Sequence, residues 1–91
     1  MSVEVRIPTI LRSYTDGAKA VEGSGETLDD LVHDLESRHP GLRDRIVEDG
    51  QLRRFVNVYV NDEDVRFLGG LATPVADGDA VTILPAVAGG V

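Results

Sequence analysis

Thr27-Leu28-Asp29-Asp30-Leu31-Val32-His33-Asp34-Leu35-Glu36 carries the pattern that decides the fold. Its apolar residues Leu28, Leu31, Val32 and Leu35 fall at i, i+3, i+4 and i+7, one stripe of an α-helix, while Asp29, His33, Asp34 and Glu36 point elsewhere. Thr27 is a good N-cap, Asp30 makes a shortened capping box, and Glu26, Asp29 and Asp30 suit the positive helix end. The helix is expected to start at about Leu28. Arg38 and His39 favour its last turn and Pro40-Gly41 stops it. Leu42, Ile46 and Val47 then point to one short further turn before Glu48-Asp49-Gly50. A single apolar stripe must be buried against another layer, and the flanking segments supply a sheet.

On the N-terminal side, Val3, Val5 and Ile7 alternate with Glu4 and Arg6, the period of a strand with one buried face, which Pro8 limits. Thr15-Asp16-Gly17 reads as a turn into a second strand at Ala18–Glu22, and Gly23-Ser24-Gly25 releases the chain toward the helix. On the C-terminal side, Phe55–Val60 is a central strand with Val56, Val58 and Val60 on one face. Asn61–Asp64 is a polar turn into a short Val65-Arg66-Phe67 strand that Gly69-Gly70 breaks, with an irregular loop through Leu71 and Pro74. Asp77-Gly78 turns into a last strand, Ala80–Leu84, with Val81 and Ile83 opposing Ala80, Thr82 and Leu84. The order β-β-α-β-β-β describes an α+β domain, its helix covering the face that Val3, Val5, Val58 and Ile83 supply. Residues 1–85 are expected to form that single domain and residues 86–91 a flexible tail.

Ninety-one residues with 42% hydrophobic, 27% charged and only 4% aromatic content describe a globular chain with an aliphatic core. Nine Lys and Arg against sixteen Asp and Glu leave −7, which repels phosphate backbones and anionic membrane surfaces, so neither nucleic acid nor membrane is an expected partner. The same charge would speed encounter with a basic cleft on a partner. The absence of cysteine excludes disulfides, thiolate metal sites and thiol nucleophiles. The start carries no basic and then apolar run, and a cytoplasmic location is expected.

The tail, Pro85-Ala86-Val87-Ala88-Gly89-Gly90-Val91, is uncharged and built of small residues. Two glycines without Cβ let a chain lie extended in a narrow cleft; the plain alternative is a frayed terminus. Asp77 to Gly90 resembles the C-terminal signature of the MoaD/ThiS ubiquitin-like sulfur carriers. Phe55 to Asp64, Val65-Arg66-Phe67, Gly69 to Thr73 and Ile7 to Leu11 resemble the branch of that family serving actinobacterial cysteine biosynthesis, so the similarity spans nearly the whole chain. It implies a β-grasp fold, with a mixed sheet of four to five strands and one main helix packed across it.

The resemblance further implies a protein co-substrate rather than an enzyme. Gly90 would be adenylated by an E1-like adenylyltransferase/sulfurtransferase and converted to a thiocarboxylate, with Gly89 providing clearance. A pyridoxal-phosphate-dependent cysteine synthase would accept the sulfur onto O-phosphoserine, and a JAMM-type zinc metallopeptidase would release the product. ATP, zinc and pyridoxal phosphate would all belong to those partners, and this chain would bind no cofactor or metal itself. The mature family ends in Gly-Gly, whereas here Val91 follows and would place a β-branched side chain beside the carboxylate. Gly90–Val91 is therefore the expected processing site; a remnant residue, or a chain without the carrier role, is the rival reading. A ubiquitin-like modifier conjugated through Gly90, an interaction module with an inert tail, and sulfur delivery to molybdopterin, thiazole or a thio-siderophore stay open.

Phe67, Leu68 and Leu71 are candidate docking residues, since interfaces need apolar anchors. His33 and His39 are six apart and match no helical zinc spacing. Asp62-Glu63-Asp64 lacks the cation-loop pattern and reads as a turn. Arg53 and Arg54 precede the Phe55 strand and could pair with an acidic partner, although two adjacent arginines at a strand start read first as solvated.

Overall fold

Alternation builds the first strand, β1 (Val3–Arg6), with Val3 and Val5 buried and Glu4 and Arg6 exposed. The computed structural model describes residues 2–85. The tail expectations on Gly89, Gly90 and Val91 lie outside the described residues. After Pro8 the chain rises into a 3-10 helix, Thr9–Thr15, an element the sequence pattern did not announce, which left-handed Asp16 and Gly17 end. The return strand β2 (Ala20–Gly23) pairs antiparallel with β1, Val3 opposite Gly23. It thus starts and ends later than the expected Ala18–Glu22. Gly23 stays in the strand because the helix lies directly over it: a Cβ there would stand 2.7 Å from Leu31 Cδ1.

The helix α1 (Leu28–Arg38) starts where expected, with Thr27 Oγ1 accepting from the Asp30 N–H at 3.2 Å. Leu28, Leu31, Val32 and Leu35 are each at most 2% exposed and pack with Val3, Val5, Val58, Val81 and Ile83 in one core. Each such burial is worth about 1.5–3 kcal/mol. The Glu36 carboxylate accepts from the Gly41 N–H at 3.0 Å and the Arg43 N–H at 2.9 Å. That contact ties the end of α1 to the short expected turn, α2 (Leu42–Ile46). Around left-handed Asp49 and Gly50, β3 (Val47–Glu48) and β4 (Gln51–Leu52) close a separate two-stranded sheet.

Val56, Val58 and Val60 are buried along β5 (Val56–Val60), as their shared face requires. One expectation fails immediately after it. The strand following the turn is β6 (Glu63–Asp64), paired with Tyr59 and Val60, and Val65–Phe67 is a 3-10 helix. Asn61 and Asp62 take positive φ, closing a two-residue hairpin, and the Asp64 carboxylate accepts from the Arg66 N–H at 2.9 Å. That cap bends the chain into a helical turn against the strand preference of Val65. A further 3-10 turn, Gly70–Ala72, leads on to the last strand, β7 (Ala80–Pro85).

The five-stranded order is β2-β1-β7-β5-β6, with β1 and β7 parallel and the other pairs antiparallel. This mixed sheet with α1 across it is the expected β-grasp. Among the described residues no helix is long and apolar enough to cross a membrane.

Candidate functional site

The last strand occupies the sheet centre, and its two neighbours release it at different points. β1 accompanies β7 only as far as Arg6 opposite Thr82, whereas β5 continues to Val56 opposite Pro85. Pro8 brings no N–H to extend the pairing, and the 3-10 helix lifts away from the sheet. Two depressions are left beside the end of β7, of about 580 Å³ and 340 Å³, and Pro8, Ile10, Ile83, Leu84 and Pro85 line both. Residues 86–91 follow Pro85 in sequence, so this is the root from which the Gly89-Gly90 segment departs.

Apolar and basic side chains surround that root. Ile10 is 68% exposed and Leu84 44%, and exposed Phe55 directly precedes the residue registered with Pro85. Arg45 Nε donates to the Tyr14 hydroxyl at 2.6 Å, and its guanidinium stands 5.5 Å from that ring's centre. Arg53 Nε donates to the Asp44 carbonyl at 2.6 Å and its head pairs with Glu48 at 3.3 Å. Arg12 Nε donates to the Ile7 carbonyl at 3.1 Å. Arg66 reaches back to the start of β5, donating to Asn57 Oδ1 and to the carbonyls of Val56, at 2.5 Å, and Arg53, at 3.1 Å.

Phe67, Leu68 and Leu71, the docking candidates named from sequence, line neither depression at this root. Phe67 is 88% exposed and Leu68 43%, on the turn after β6. Leu71 packs against the core and lines, with Arg66 and Gly50–Leu52, a different depression. Arg53, read first as solvated with an acidic partner as the alternative, lines one of the two depressions at Pro85, and Arg54 lies over the Phe55 ring at 5.8 Å. Ile10 and Leu84 were missed; the available signal was a proline that ends one strand beside an exposed apolar residue. Arg12, Lys19 and Arg45 had no signal at all, because nothing in their spacing announces that they meet.

Among the described residues two carboxylates have perturbed acidities, and neither lines the depressions at the root. Hydrogen bonds from the Gly41 and Arg43 backbone lower the Glu36 pKa. The Asn61 side chain, then the Ala76 N–H, lower that of Asp79, at the start of β7. His33 stands 3.6 Å from Asp29, and among the described residues no three His, Asp or Glu side chains converge as a metal site. Among the described residues the site presents apolar and basic surface.

The ThiS family pattern matches residues 5–90. "Sulfur carrier protein CysO" of Mycobacterium tuberculosis is 60% identical over 93 aligned residues, covering 99% of this chain and 100% of that protein. The crystal structure of the Amycolatopsis orientalis BexX/CysO complex includes a chain 60% identical, with a TM-score of 0.92 over 97% of this chain and 99% of that one. "Small archaeal modifier protein 3" of Haloferax volcanii is 45% identical over 64 residues, 70% of each chain.

Proposed function

The chain belongs to the ThiS family, and from that premise we propose that it is a sulfur carrier that works through the carboxylate of Gly90 once Val91 has been removed. A Gly90 carboxylate oxygen attacks the α-phosphorus of ATP on an E1-like enzyme, and pyrophosphate leaves. Hydrosulfide sulfur supplied by the activating machinery then attacks the Gly90 acyl carbon and AMP leaves, which converts the acyl-adenylate to a thiocarboxylate. On a pyridoxal-phosphate enzyme the thiocarboxylate sulfur takes the place of the phosphate of O-phosphoserine, phosphate leaves with cysteine still attached to the carrier, and a JAMM-type peptidase hydrolyses the bond between Gly90 and that cysteine. This chain contributes no catalytic group; it presents the terminus.

The observation that carries this reading is the 60% identity to a sulfur carrier protein over the whole chain. The family match running to Gly90, with Val91 beyond it, supports the assignment of the acceptor. The root adds a geometric bound. Five residues from Pro85 to Gly90 span at most about 18 Å when fully extended, so the activating site must lie within that depth of the docked surface. Glycine at the last two positions keeps side chains off that path.

Intact mass spectrometry of the chain recovered from its native host, before and after incubation with cell extract and ATP, tests the proposal. The expected products are a species lighter by one valine and a second heavier by the sulfur-for-oxygen difference. Only the unmodified full-length mass, in a lysate that thiocarboxylates a carrier ending in Gly-Gly, would overturn it. Removing Val91 should permit adenylation and removing Gly90-Val91 should abolish it.

The 45% identity to a small archaeal modifier protein supports a second reading, in which Gly90 is joined to lysines of other proteins. It predicts higher-mass ladders on denaturing gels that survive thiol reagents.

A further inference from the structure

The two depressions at Pro85 collect charge of the sign opposite to the whole chain. Arg6, Arg12 and Lys19 line one and Arg45 and Arg53 the other, five of the nine basic residues, whereas Glu4 is the one of sixteen acidic residues to line either. Glu4 is itself paired with Arg6 at 3.3 Å. Between these basic groups lie exposed Ile10 and Leu84. An apolar centre inside a charged rim is the anatomy of a protein–protein interface. The −7 net charge, which alone argued for a basic cleft on the partner, does not describe this face.

The guanidinium geometry says what the rim is built to meet. Arg45 is held through Nε by Tyr14, and Arg12 through Nε by the Ile7 carbonyl. Among the described residues neither pairs with a carboxylate, and the terminal nitrogens of both are unspent. A guanidinium fixed at Nε with its outer edge free offers two parallel N–H donors, the fork that a carboxylate accepts bidentately.

Resting on the carrier reading, we propose that this face is the surface on which the activating enzyme docks, and that the enzyme rings the mouth of its tail cleft with Asp and Glu carboxylates. Arg12 and Arg45 bind those carboxylates, Lys19 and Arg53 extend the rim, and Ile10 and Leu84 fill the apolar seat. Fifteen of the sixteen acidic residues line neither depression, and that asymmetry orients the approach of an acidic surface. The same asymmetry disfavours a polyanion, which has no use for the apolar centre and would meet acidic surface beyond the rim.

The test is ATP–pyrophosphate exchange by the E1-like enzyme of the same organism, with the chain ending at Gly90 as substrate. Arg12→Glu and Arg45→Glu should each raise KM by about tenfold or more and leave kcat within about twofold, because the rim acts in binding. Arg38→Glu, an equal charge change at the end of α1, should leave KM within about twofold. The KM of the unaltered chain should rise with salt from about 50 to 300 mM. Thermal melts of each variant separate misfolding from lost docking, and Lys19→Glu, on an exposed residue whose side chain makes no hydrogen bond among the described residues, repeats the test. Unchanged KM in the rim variants, or an equal loss in Arg38→Glu, overturns the docking proposal and leaves the carrier reading standing. Retention on heparin with unchanged KM assigns the face to polyanions and also overturns it. No exchange with the unaltered chain, on an enzyme active with a carrier ending in Gly-Gly, overturns both.

Discussion

Gly25→Ala tests how closely the segment before α1 is pressed against the helix. A Cβ at position 25 would stand 2.6 Å from the Leu31 nitrogen, 2.8 Å from Asp30 Cβ and 2.9 Å from the Asp30 carbonyl carbon. Ordinary carbon contacts are about 3.5–4.0 Å, so the segment must retreat by roughly 1 Å. Two of the three atoms are backbone of α1, and no rotamer change relieves them. Overpacking of this kind costs about 1–3 kcal/mol, and the upper half applies where backbone must move. Against it stands the gain of about 0.4–1 kcal/mol from a stiffer unfolded chain. The net expectation is a loss of about 2 kcal/mol, or about 8–16 °C in Tm for a domain of this size. Thermal and urea unfolding followed by circular dichroism measure it. Gly50→Ala is the comparison: nothing lies within 4 Å of its Cβ, and the penalty there comes only from its φ of +75°, about 1–2 kcal/mol. A Gly25→Ala variant as stable as the unaltered chain would refute the packing argument.

Ile83→Ala, which empties a position 3% exposed under the end of β7, should cost about 2–5 kcal/mol at an unchanged denaturant slope. A loss below 1 kcal/mol would mean that the core collapses around the gap. Thr27→Ala should cost about 1 kcal/mol by removing the acceptor for the Asp30 N–H, and Thr27→Ser should restore most of it. The pKa of Glu36 is lowered from 4.5 in the folded state, chiefly by the Gly41 and Arg43 backbone hydrogen bonds. Its stabilisation is therefore present above 4.5 and is lost as pH falls through the lower folded-state value. Glu36→Gln should be less stable at neutral pH and show a shallower acid limb; parallel limbs in urea titrations would remove Glu36 from the account.

Much of the fold was legible because its signals are local. The stripe of Leu28, Leu31, Val32 and Leu35 and the cap at Thr27 are written within a dozen residues, and both appear where the pattern put them. The burial of Val56, Val58 and Val60 follows from period two in the same way. Val65–Phe67 misled because β-branched propensity is weaker than a capped turn, and the Asp64 contact that tipped the balance is visible only with its geometry. The 3-10 helix after Pro8 has no hydrophobic period to announce it. Phe67 and Leu68 were legible as apolar, but their position on the turn after β6, outside the lining of the Pro85 depressions, was not.

The amino-acid order by itself determined α1 with its buried stripe, the alternation of the main strands and the Gly89-Gly90 segment, because helix periodicity, strand alternation and the missing Cβ of glycine are properties of neighbouring residues. Only the tertiary structure decided that β1 and β7 lie side by side in the centre of the sheet, and that Arg45 settles on Tyr14, 31 positions away. The basic rim around Pro85 was decided there too. Such juxtapositions arise when distant segments bury a common apolar face, and a surface charge has no period that records which strand end it will meet.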